Sequence, residues 1–351
     1  MRGRRLSERQ RQRIQAIQER RRQRLESRTN VVLEALDADR SASAAPDGDA
    51  ATGQAPRRGL VVARHGAHLA VEDSAGSLHH CMTRSNIGHP VCGDRVVWQP
   101  TGNGGGVVTA LESRSNVLSR PDFSGRDKPL AANLTLMAVV VAPEPPPSGF
   151  LLDQYLVAAE LMGVRALVVA AKMDLLDTAG RAAFLDTLAS YRALGYPICP
   201  ISIKRAPGPS ALASQLKGEI AILLGQSGVG KSSLVQALLP DQDIQVGRLS
   251  VATGLGRHTT STATCYHLPG DQAGGRLIDS PGVRSFRLAH LTHAELEQGF
   301  RELAPLRGRC RFRDCRHLDE PDCAVRDAVA TGSIDPRRLE HFHNLRESLV
   351  R

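Results

Sequence analysis

Residues 225–232 have the residue types and the spacing of a phosphate-binding loop. They spell Gly-Gln-Ser-Gly-Val-Gly-Lys-Ser and fit the pattern G-x-x-x-x-G-K-[ST]. In such a loop, glycines let backbone N–H groups turn toward a polyphosphate, the lysine reaches the outer phosphates and the serine hydroxyl binds Mg²⁺. We therefore predict a catalytic, charge-stabilising role for Lys231 and a magnesium ligand in Ser232; a glycine-rich turn without a ligand is the alternative. The loop supplies these predicted nucleotide-binding residues: Gly225, Gln226, Ser227, Gly228, Val229, Gly230, Lys231, Ser232 and Ser233.

Two segments further along the chain carry groups suited to magnesium and to a terminal phosphate. Residues 279–282 (Asp-Ser-Pro-Gly) follow an apolar run, so Asp279 is expected to reach Mg²⁺ through water and the Gly282 N–H to face the last phosphate. Residues 254–260 are rich in glycine and end in Thr259 and Thr260, either of which could bind Mg²⁺. This composition is typical of a switch loop that a triphosphate orders. An ordinary connecting loop is the alternative.

Residues 171–174 (Ala-Lys-Met-Asp) follow an apolar run and occupy the position of a base-reading loop. Guanine-nucleotide proteins have Asn-Lys-x-Asp there. The Asp174 carboxylate can accept two hydrogen bonds from the guanine N1–H and amino groups, which adenine cannot supply. The Lys172 stem is expected to lie along the base, and Ser202 to belong to a second base-contacting loop. The predicted nucleotide-binding residues outside the phosphate loop are Ala171, Lys172, Met173, Asp174, Ser202, Asp279 and Gly282.

The order of these loops along the chain is unusual. The base loops at 171–174 and 202 come before the phosphate loop at 225–232, and the switch segments follow it. The usual order begins with the phosphate loop, so the chain has the order of a circularly permuted GTPase. Such a permutation leaves the pocket intact, because all these loops emerge at the carboxyl ends of parallel strands.

The loops must be held by an α/β domain, which we place at residues 121–292 of a multidomain chain. Apolar runs typical of strands alternate with helical patterns, of which the one at 150–162 reads as an amphipathic helix. This alternation predicts a mostly parallel sheet with helices on both faces. The predicted strands are 134–141, 166–171, 197–201, 219–224, 262–267 and 276–278, and the predicted helices 150–162, 179–194, 210–217 and one starting at 233.

Residues 57–120 form a predicted all-β module. Short alternating runs separated by glycine-containing turns suit a small OB-fold-like barrel, a fold that often binds oligonucleotides. Trp98 is the only aromatic residue of this segment other than histidine, which weakens any case for base stacking. A structural β module without a ligand is the alternative.

Charge is concentrated at the N-terminus, in residues 1–56, which we predict to be an Arg-rich disordered or helical arm and a linker. Residues 1–28 hold eleven arginines against three glutamates, which is eight of the net charge of +9. Such an arm suits a polyanion such as an RNA or DNA backbone, and a merely solvated tail is the alternative. There is neither an apolar run long enough to span a membrane nor a secretory signal, so the seven cysteines indicate reduced thiols or metal binding in the cytoplasm.

Residues 293–351 form a predicted, mostly helical, zinc-binding module. Its four candidate ligands have the spacing C-x4-C-x-H-x5-C and are Cys310, Cys315, His317 and Cys323. Three thiolates and one imidazole suit one tetrahedral, structural Zn²⁺, which would supply folding energy to a loop with few apolar residues. Free cysteines are the alternative. The other cysteines read as core residues, and His341 and His343 as solvated residues of a helix.

The succession of β-barrel, permuted GTPase and Cys/His module resembles a family of bacterial ribosome small-subunit-dependent GTPases, the small ribosomal subunit biogenesis GTPase A family. Residues 93–98, 225–233, 256–260, 279–283 and the cysteine loop carry the resemblance, which covers about residues 57–350. It implies a late assembly factor of the 30S subunit, whose GTP hydrolysis is stimulated by the subunit and coupled to release. The implied partners are the 30S subunit with its 16S rRNA, and GTP and GDP. The resemblance also implies a monomer that does not bind membranes and that uses Mg²⁺ together with GTP.

Two residues depart from common GTPase patterns. Ala171 stands where the family has Asn, which should leave guanine preference to Asp174 and weaken affinity. Val283 stands where many GTPases have a glutamine that orients the attacking water, so the enzyme should be slow alone. His258 is the nearest polar candidate for placing that water, and the family resemblance points to it as well; a solvated loop histidine is the alternative.

Two other functions stay open from the sequence. An RNA-binding scaffold with a non-hydrolysing guanine-nucleotide switch is favoured by Ala171 and Val283. A nucleic-acid-driven ATPase is opposed by Asp174 and by the lack of a second motor-like domain.

Overall fold

The computed structural model describes residues 55–84, 87–101, 105–121, 127–205, 208–241, 263–270, 274–280, 288 and 291–350. The chain divides into two compact units, with described residues 55–115 in the first and those from 116 onward in the second. The Arg-rich part of the predicted N-terminal arm lies outside the described residues. The predicted domain boundaries at 121 and 293 stay predictions.

The first unit is a closed five-stranded barrel. Its strands are β1 (Arg57–His65), β2 (His68–Glu72), β3 (Leu78–Thr83), β4 (Arg95–Pro100) and β5 (Gly106–Leu111). β1 pairs antiparallel with both β2 and β4, β2 pairs with β3, and the parallel pair β3–β5 leads back to β4. The pairing closes the sheet, so the OB-fold-like prediction is confirmed. Val61, Leu69, Val96 and Trp98 are among the apolar side chains that fill the interior.

A buried ion pair ties together the turn before β4 and the end of this unit. Asp94 is fully buried, and Arg114 donates to both of its carboxylate oxygens at 2.7 Å. The same carboxylate accepts the Val91 N–H at 2.7 Å. A buried charge requires partners of this kind, which gives the aspartate of the 93–98 motif a structural role.

The second unit contains a six-stranded sheet of mixed direction. The described residues of this unit contain eight strands, which are β6 (Val117–Pro121), β7 (Asp127–Ala132), β8 (Leu136–Val141), β9 (Arg165–Ala170), β10 (Ile198–Pro200), β11 (Ile220–Leu224), β12 (Thr264–His267) and β13 (Arg276–Asp279). Within this unit the strand order is β10-β9-β8-β11-β13-β12. The first five are parallel and β12 is antiparallel to β13, so the mostly parallel prediction is confirmed. β6 and β7 form a separate hairpin that no sequence pattern had predicted.

Helix α1 (Gly149–Met162) differs from its prediction as an amphipathic helix. Its residues 152–159 are all buried, because it lies between strands β8 and β9 on one side and C-terminal helices on the other. The predicted helix 179–194 is two helices, α2 (Thr178–Asp186) and α3 (Ala189–Ala193). Within its described residues, the GTPase segment also contains helices α4 (Pro209–Leu216) and α5 (Lys231–Leu238).

The C-terminal segment adds helices α6 (His293–Gly299), α7 (Ala324–Ala330) and α8 (Pro336–Val350). α6 begins with a capping box, in which Thr292 and Glu295 satisfy each other's backbone N–H groups. Leu296, Phe300 and Phe342 form its core together with Cys315 and Cys323 of the cysteine loop. Among the helices of the described residues, none combines the length and the apolar character needed to cross a bilayer.

Candidate functional site

The loops predicted to bind nucleotide follow strands that end at one edge of the sheet. β11 leads into the phosphate loop, β9 into residues 171–174, β10 into Ser202, and Asp279 ends β13. The pairs Leu224–Val139, Ala170–Val141, Pro200–Ala170 and Ile222–Ile278 show that these strands run in parallel and in register. Ligands of open α/β sheets bind at this carboxyl edge. The permuted order therefore brings the candidate segments that the structure describes, at 171–174, 202, 225–233 and 279, to the same edge.

At the first position of the phosphate loop, the backbone has a conformation that only glycine can adopt. Gly225 has φ of 134°, and a Cβ added there would lie 2.3 Å from the Val140 carbonyl oxygen. Val229 is fully buried in a hydrophobic core shared with the strands and helices around it, and Lys231 begins α5. Lys231 Nζ donates to the Gly225 and Gln226 carbonyl oxygens, at 2.6 Å each. The buried Val229 thus anchors the loop in the core, while the Lys231 side chain reaches back across the loop to its first two residues.

A proline-rich segment, residues 144–148, forms a wall beside the phosphate loop. Gln226 Nε2 donates to the Pro146 carbonyl oxygen at 2.9 Å, and its Oε1 accepts the Ser148 N–H at 3.2 Å. Lys172 Nζ donates to the carbonyl oxygens of Glu144, at 2.8 Å, and of Gly228, at 2.6 Å. Lys172 therefore joins the base loop, this wall and the phosphate loop. Sequence reasoning missed the wall, because it carries no recognised motif.

The two predicted base loops meet through a short hydrogen bond. The buried Ser202 hydroxyl donates to Asp174 Oδ1 at 2.6 Å and accepts the backbone N–H groups of Lys204 and Arg205 at 3.0 and 3.1 Å. This hydroxyl is the main reason that the pKa of Asp174 lies below its usual value. The Lys204 ammonium, 3.9 Å from Oδ2, adds to the effect. Asp174 is accordingly a fixed, ionised acceptor.

The other predicted nucleotide contacts differ in how far the structure describes them. Ala171 is buried in the core, and its N–H donates to the Val141 carbonyl oxygen at 2.8 Å. Met173 is also buried, in a short 3₁₀ helix. Ser227, Ser232, Ser233 and Asp279 are exposed at the sheet edge, and Gly230 is partly buried there. The predicted residues His258, Thr259, Thr260 and Gly282 lie outside the described residues.

The four predicted zinc ligands converge in the cysteine loop. The His317 Nδ1 atom lies 3.6, 3.5 and 3.3 Å from the sulfurs of Cys310, Cys315 and Cys323, and Cys310 Sγ lies 3.8 Å from Cys323 Sγ. A tetrahedral site with Zn–S of about 2.3 Å has S···S edges of about 3.8 Å and S···N edges of about 3.6 Å. The observed spacing fits that geometry, so the cluster could hold a zinc ion.

Glu297 completes this cluster and was missed by sequence reasoning. Its Oε1 lies 2.7 Å from His317 Nε2 and 3.4 Å from His293 Nε2. A carboxylate on the far nitrogen of a ligating histidine fixes the tautomer that turns the other nitrogen to the metal. Burial is the main cause that raises the pKa of Cys315 to about 12. A bound metal would therefore have to displace its proton.

Comparison with known proteins decides the family. A family model described as RsgA GTPase matches residues 111–289. The chain is 43% identical to the small ribosomal subunit biogenesis GTPase RsgA of Azotobacter vinelandii, over 98% of this chain and 97% of that protein. The chain belongs to the RsgA GTPase family. It is also 42% identical to the RsgA protein of Marinobacter nauticus, over 93% of this chain and 96% of that one.

Two solved structures agree with RsgA membership. YjeQ from Thermotoga maritima matches with a TM-score of 0.68 and 32% identity, over 84% of this chain and 99% of that one. YloQ, described as a circularly permuted GTPase, matches with a TM-score of 0.65 and 25% identity, over 86% of this chain and 97% of that one. The predicted family, the three-part fold class and the permuted loop order are thereby confirmed. As a member of the RsgA family, the chain is a GTP hydrolase.

Proposed function

We propose that the chain hydrolyses GTP in the late assembly of the small (30S) ribosomal subunit, with hydrolysis stimulated by the subunit and coupled to release. The observation that carries this is the identity of 43% over nearly the whole chain to proteins named small ribosomal subunit biogenesis GTPase. The convergence of the phosphate loop with the Asp174–Ser202 pair at one sheet edge supports it independently.

Guanine selection rests on Asp174 in this proposal. Its carboxylate is held by Ser202 and stays ionised, so it can accept hydrogen bonds from the N1–H and amino groups of guanine. The backbone N–H groups of residues 225–233 surround the phosphates, and Lys231 moves its ammonium from the loop carbonyls to the outer phosphates.

Hydrolysis requires that charge be stabilised and a water be oriented. When bound, Mg²⁺ neutralises charge that develops on the phosphate oxygens. Ser232 and either Thr259 or Thr260 would hold it, with Asp279 acting through water and the Gly282 N–H facing the last phosphate. We assign the placement of the water to His258, because Val283 has no group that could do so. Docking on the subunit would bring the switch loop into place, so we expect the enzyme to be slow in isolation.

The cysteine loop would hold one structural Zn²⁺ through Cys310, Cys315, His317 and Cys323. The support is the fit of their spacing to a tetrahedron and the carboxylate of Glu297 behind His317. With four protein ligands, the metal would stabilise the loop and leave no position for substrate.

The proposed partners follow from charge and fold. The barrel, the N-terminal arginines and the zinc module would contact 16S rRNA, since polyanions attract arginine-rich segments. We propose that the protein works in the cytoplasm as a monomer.

The test is phosphate release from GTP and from ATP, each with and without purified 30S subunits. We expect slow GTP turnover alone, a strong increase with subunits, and no comparable turnover of ATP. GTP binding without any stimulated turnover would favour the non-hydrolysing RNA-binding scaffold, and a preference for ATP would refute the assigned base recognition. His258→Ala should remove the stimulation while GTP binding remains.

A further inference from the structure

Helix α1 contacts the phosphate loop with its N-terminal half. The wall that precedes it holds the Gln226 side chain through the Ser148 N–H. The Gly225 N–H donates a hydrogen bond to the hydroxyl oxygen of Tyr155, a buried residue about two turns into the helix. Gly225 is the residue whose conformation only glycine can adopt. The start of the phosphate loop is therefore held in part by α1.

The same helix is fixed to the C-terminal helices by buried charges. Asp153 is fully buried, and its carboxylate contacts Arg338 Nη1 and lies 2.5 Å from His341 Nδ1, both on α8. Arg338 also donates to both oxygens of Glu302, which is 5% exposed. Tyr191 adds a hydrogen bond to Asp153. Charges in such a place are tolerated only when they are paired, so this cluster fixes α8 in one position on α1.

Close packing holds α8 in the same position on α1. A Cβ added to Gly149 would lie 2.5 Å from Cε1 of the His341 ring. Phe342, the next residue of α8, packs against the rings of His317 and His293, with centroids 5.9 and 5.6 Å away. A single helix thus touches both the candidate zinc ligand His317 and α1.

Helical geometry separates the two contacts of α1. Asp153 and Tyr155 are two positions apart, which is about 200° around a helix, so they point to opposite sides. One side faces α8 and the other faces the phosphate loop. A shift of α1 relative to the sheet would therefore act on both contacts together.

We propose that Asp153 and Tyr155 are positioning residues through which the C-terminal Cys/His module holds the phosphate loop in its nucleotide-binding geometry. The inference rests on the nucleotide site proposed above and adds a partner to it within the chain. Binding of GDP and the stability of α8 on α1 are then linked, and by thermodynamic reciprocity each strengthens the other.

The first test compares GDP affinities of the full-length protein and three variants. Tyr155→Phe removes one neutral hydrogen bond and keeps the ring, so we expect GDP to bind about fivefold more weakly. Asp153→Asn keeps the shape of the side chain, leaves Arg338 paired with Glu302, and should also weaken binding. Tyr196→Phe is the matched control, because its buried hydroxyl has no hydrogen-bond partner within the described residues, and it should bind GDP as the wild type does. Failure of the wild type to bind GDP would refute the nucleotide site itself.

The second test is hydrogen exchange, which a purely structural role would not reproduce. In the wild type, GDP should slow exchange in residues 336–349 of α8 more than in strand β4 of the barrel. Tyr155→Phe should remove this difference while exchange of α8 without GDP stays as in the wild type. The proposal is overturned if Tyr155→Phe binds GDP with unchanged affinity, or if GDP leaves α8 unaffected in the wild type. A uniform slowing in α8 and β4 would also overturn it, because it would reflect global stabilisation alone.

Discussion

Replacing Asp174 by Asn should change which base the pocket accepts. In the wild type, Ser202 donates to Oδ1 at 2.6 Å, so Oδ1 is committed and Oδ2 is the freer oxygen. An asparagine would keep its carbonyl oxygen on the Ser202 hydroxyl, which leaves its NH₂ group in the place of Oδ2. A donor then faces the donors of guanine. Xanthine has an oxygen where guanine has its amino group, and this oxygen can accept from the new NH₂.

The expected loss can be worked from these contacts. A hydrogen bond to a charged group contributes about 1.5–3 kcal/mol, and an unpaired buried donor costs a comparable amount. Asp174→Asn loses one hydrogen bond to a charged group and places the NH₂ donor of the asparagine opposite the donors of guanine. The two effects together should cost about 3 kcal/mol or more, which is roughly a 150-fold weaker affinity for GDP. Xanthosine diphosphate should gain affinity, since its oxygen removes the clash and restores a hydrogen bond.

The assay is competition of GDP and xanthosine diphosphate against a fluorescent guanine nucleotide, for the wild type, Asp174→Asn and a control. Asp186→Asn makes the same chemical change at an exposed position in α2 and should bind both nucleotides as the wild type does. If Asp174→Asn binds GDP as tightly as the wild type, or does not favour the xanthine nucleotide, the role of Asp174 as the base-reading acceptor is wrong.

Four further predictions concern pH, the base loop, the barrel and the metal. Ser202 lowers the pKa of Asp174, so the charged form that binds guanine persists as pH falls; Ser202→Ala should raise that pKa, and GDP titrations should show binding lost at a higher pH than in the wild type. Ala171→Asn should tighten GDP binding, although Ala171 is only 2% exposed and the asparagine side chain must fit into a buried position. An unchanged or weaker affinity in calorimetry would contradict the prediction. Arg114→Ala removes the bidentate partner of the buried Asp94 and leaves Arg64 as a nearby cation, so it should cost about 3 kcal/mol of unfolding free energy in urea; an undiminished midpoint would argue against the ion pair's structural role. Elemental analysis should find one zinc per chain, and its chelation should lower the melting temperature, whereas retention of full stability without metal would exclude a structural zinc.

The pocket could be predicted largely from sequence because its parts are local motifs at strand ends. The phosphate loop needs glycines and a lysine at fixed spacing, and Asp174 follows a recognisable buried strand. The edge of a parallel sheet then brings such loops together, whatever their order along the chain. The spacing of the cysteine loop was informative for the same reason, since its four candidate ligands lie within a short stretch.

The supporting contacts could not be predicted, because they join residues that are distant in sequence. Gln226 meets the Ser148 N–H across 78 positions, and Glu297 meets His317 across 20. Neither Ser148 nor Glu297 belongs to a motif, and each would be unremarkable on an exposed helix or loop. Only the packing of whole elements decides that such a side chain faces a functional group.

Helix α1 shows what the sequence could have indicated. A helix that is apolar all round is normally buried on all sides, and residues 149–162 contain few charged side chains. Both of its acidic residues have arginine partners in the C-terminal segment: Asp153 contacts Arg338, and Glu160 accepts from Arg301 at 2.8 Å. The acids of such a helix are therefore better interpreted as contacts to a covering module than as a solvated face. By that argument, an amphipathic assignment for α1 was wrong on the composition of the helix alone, and the arginines of the C-terminal segment were its natural partners.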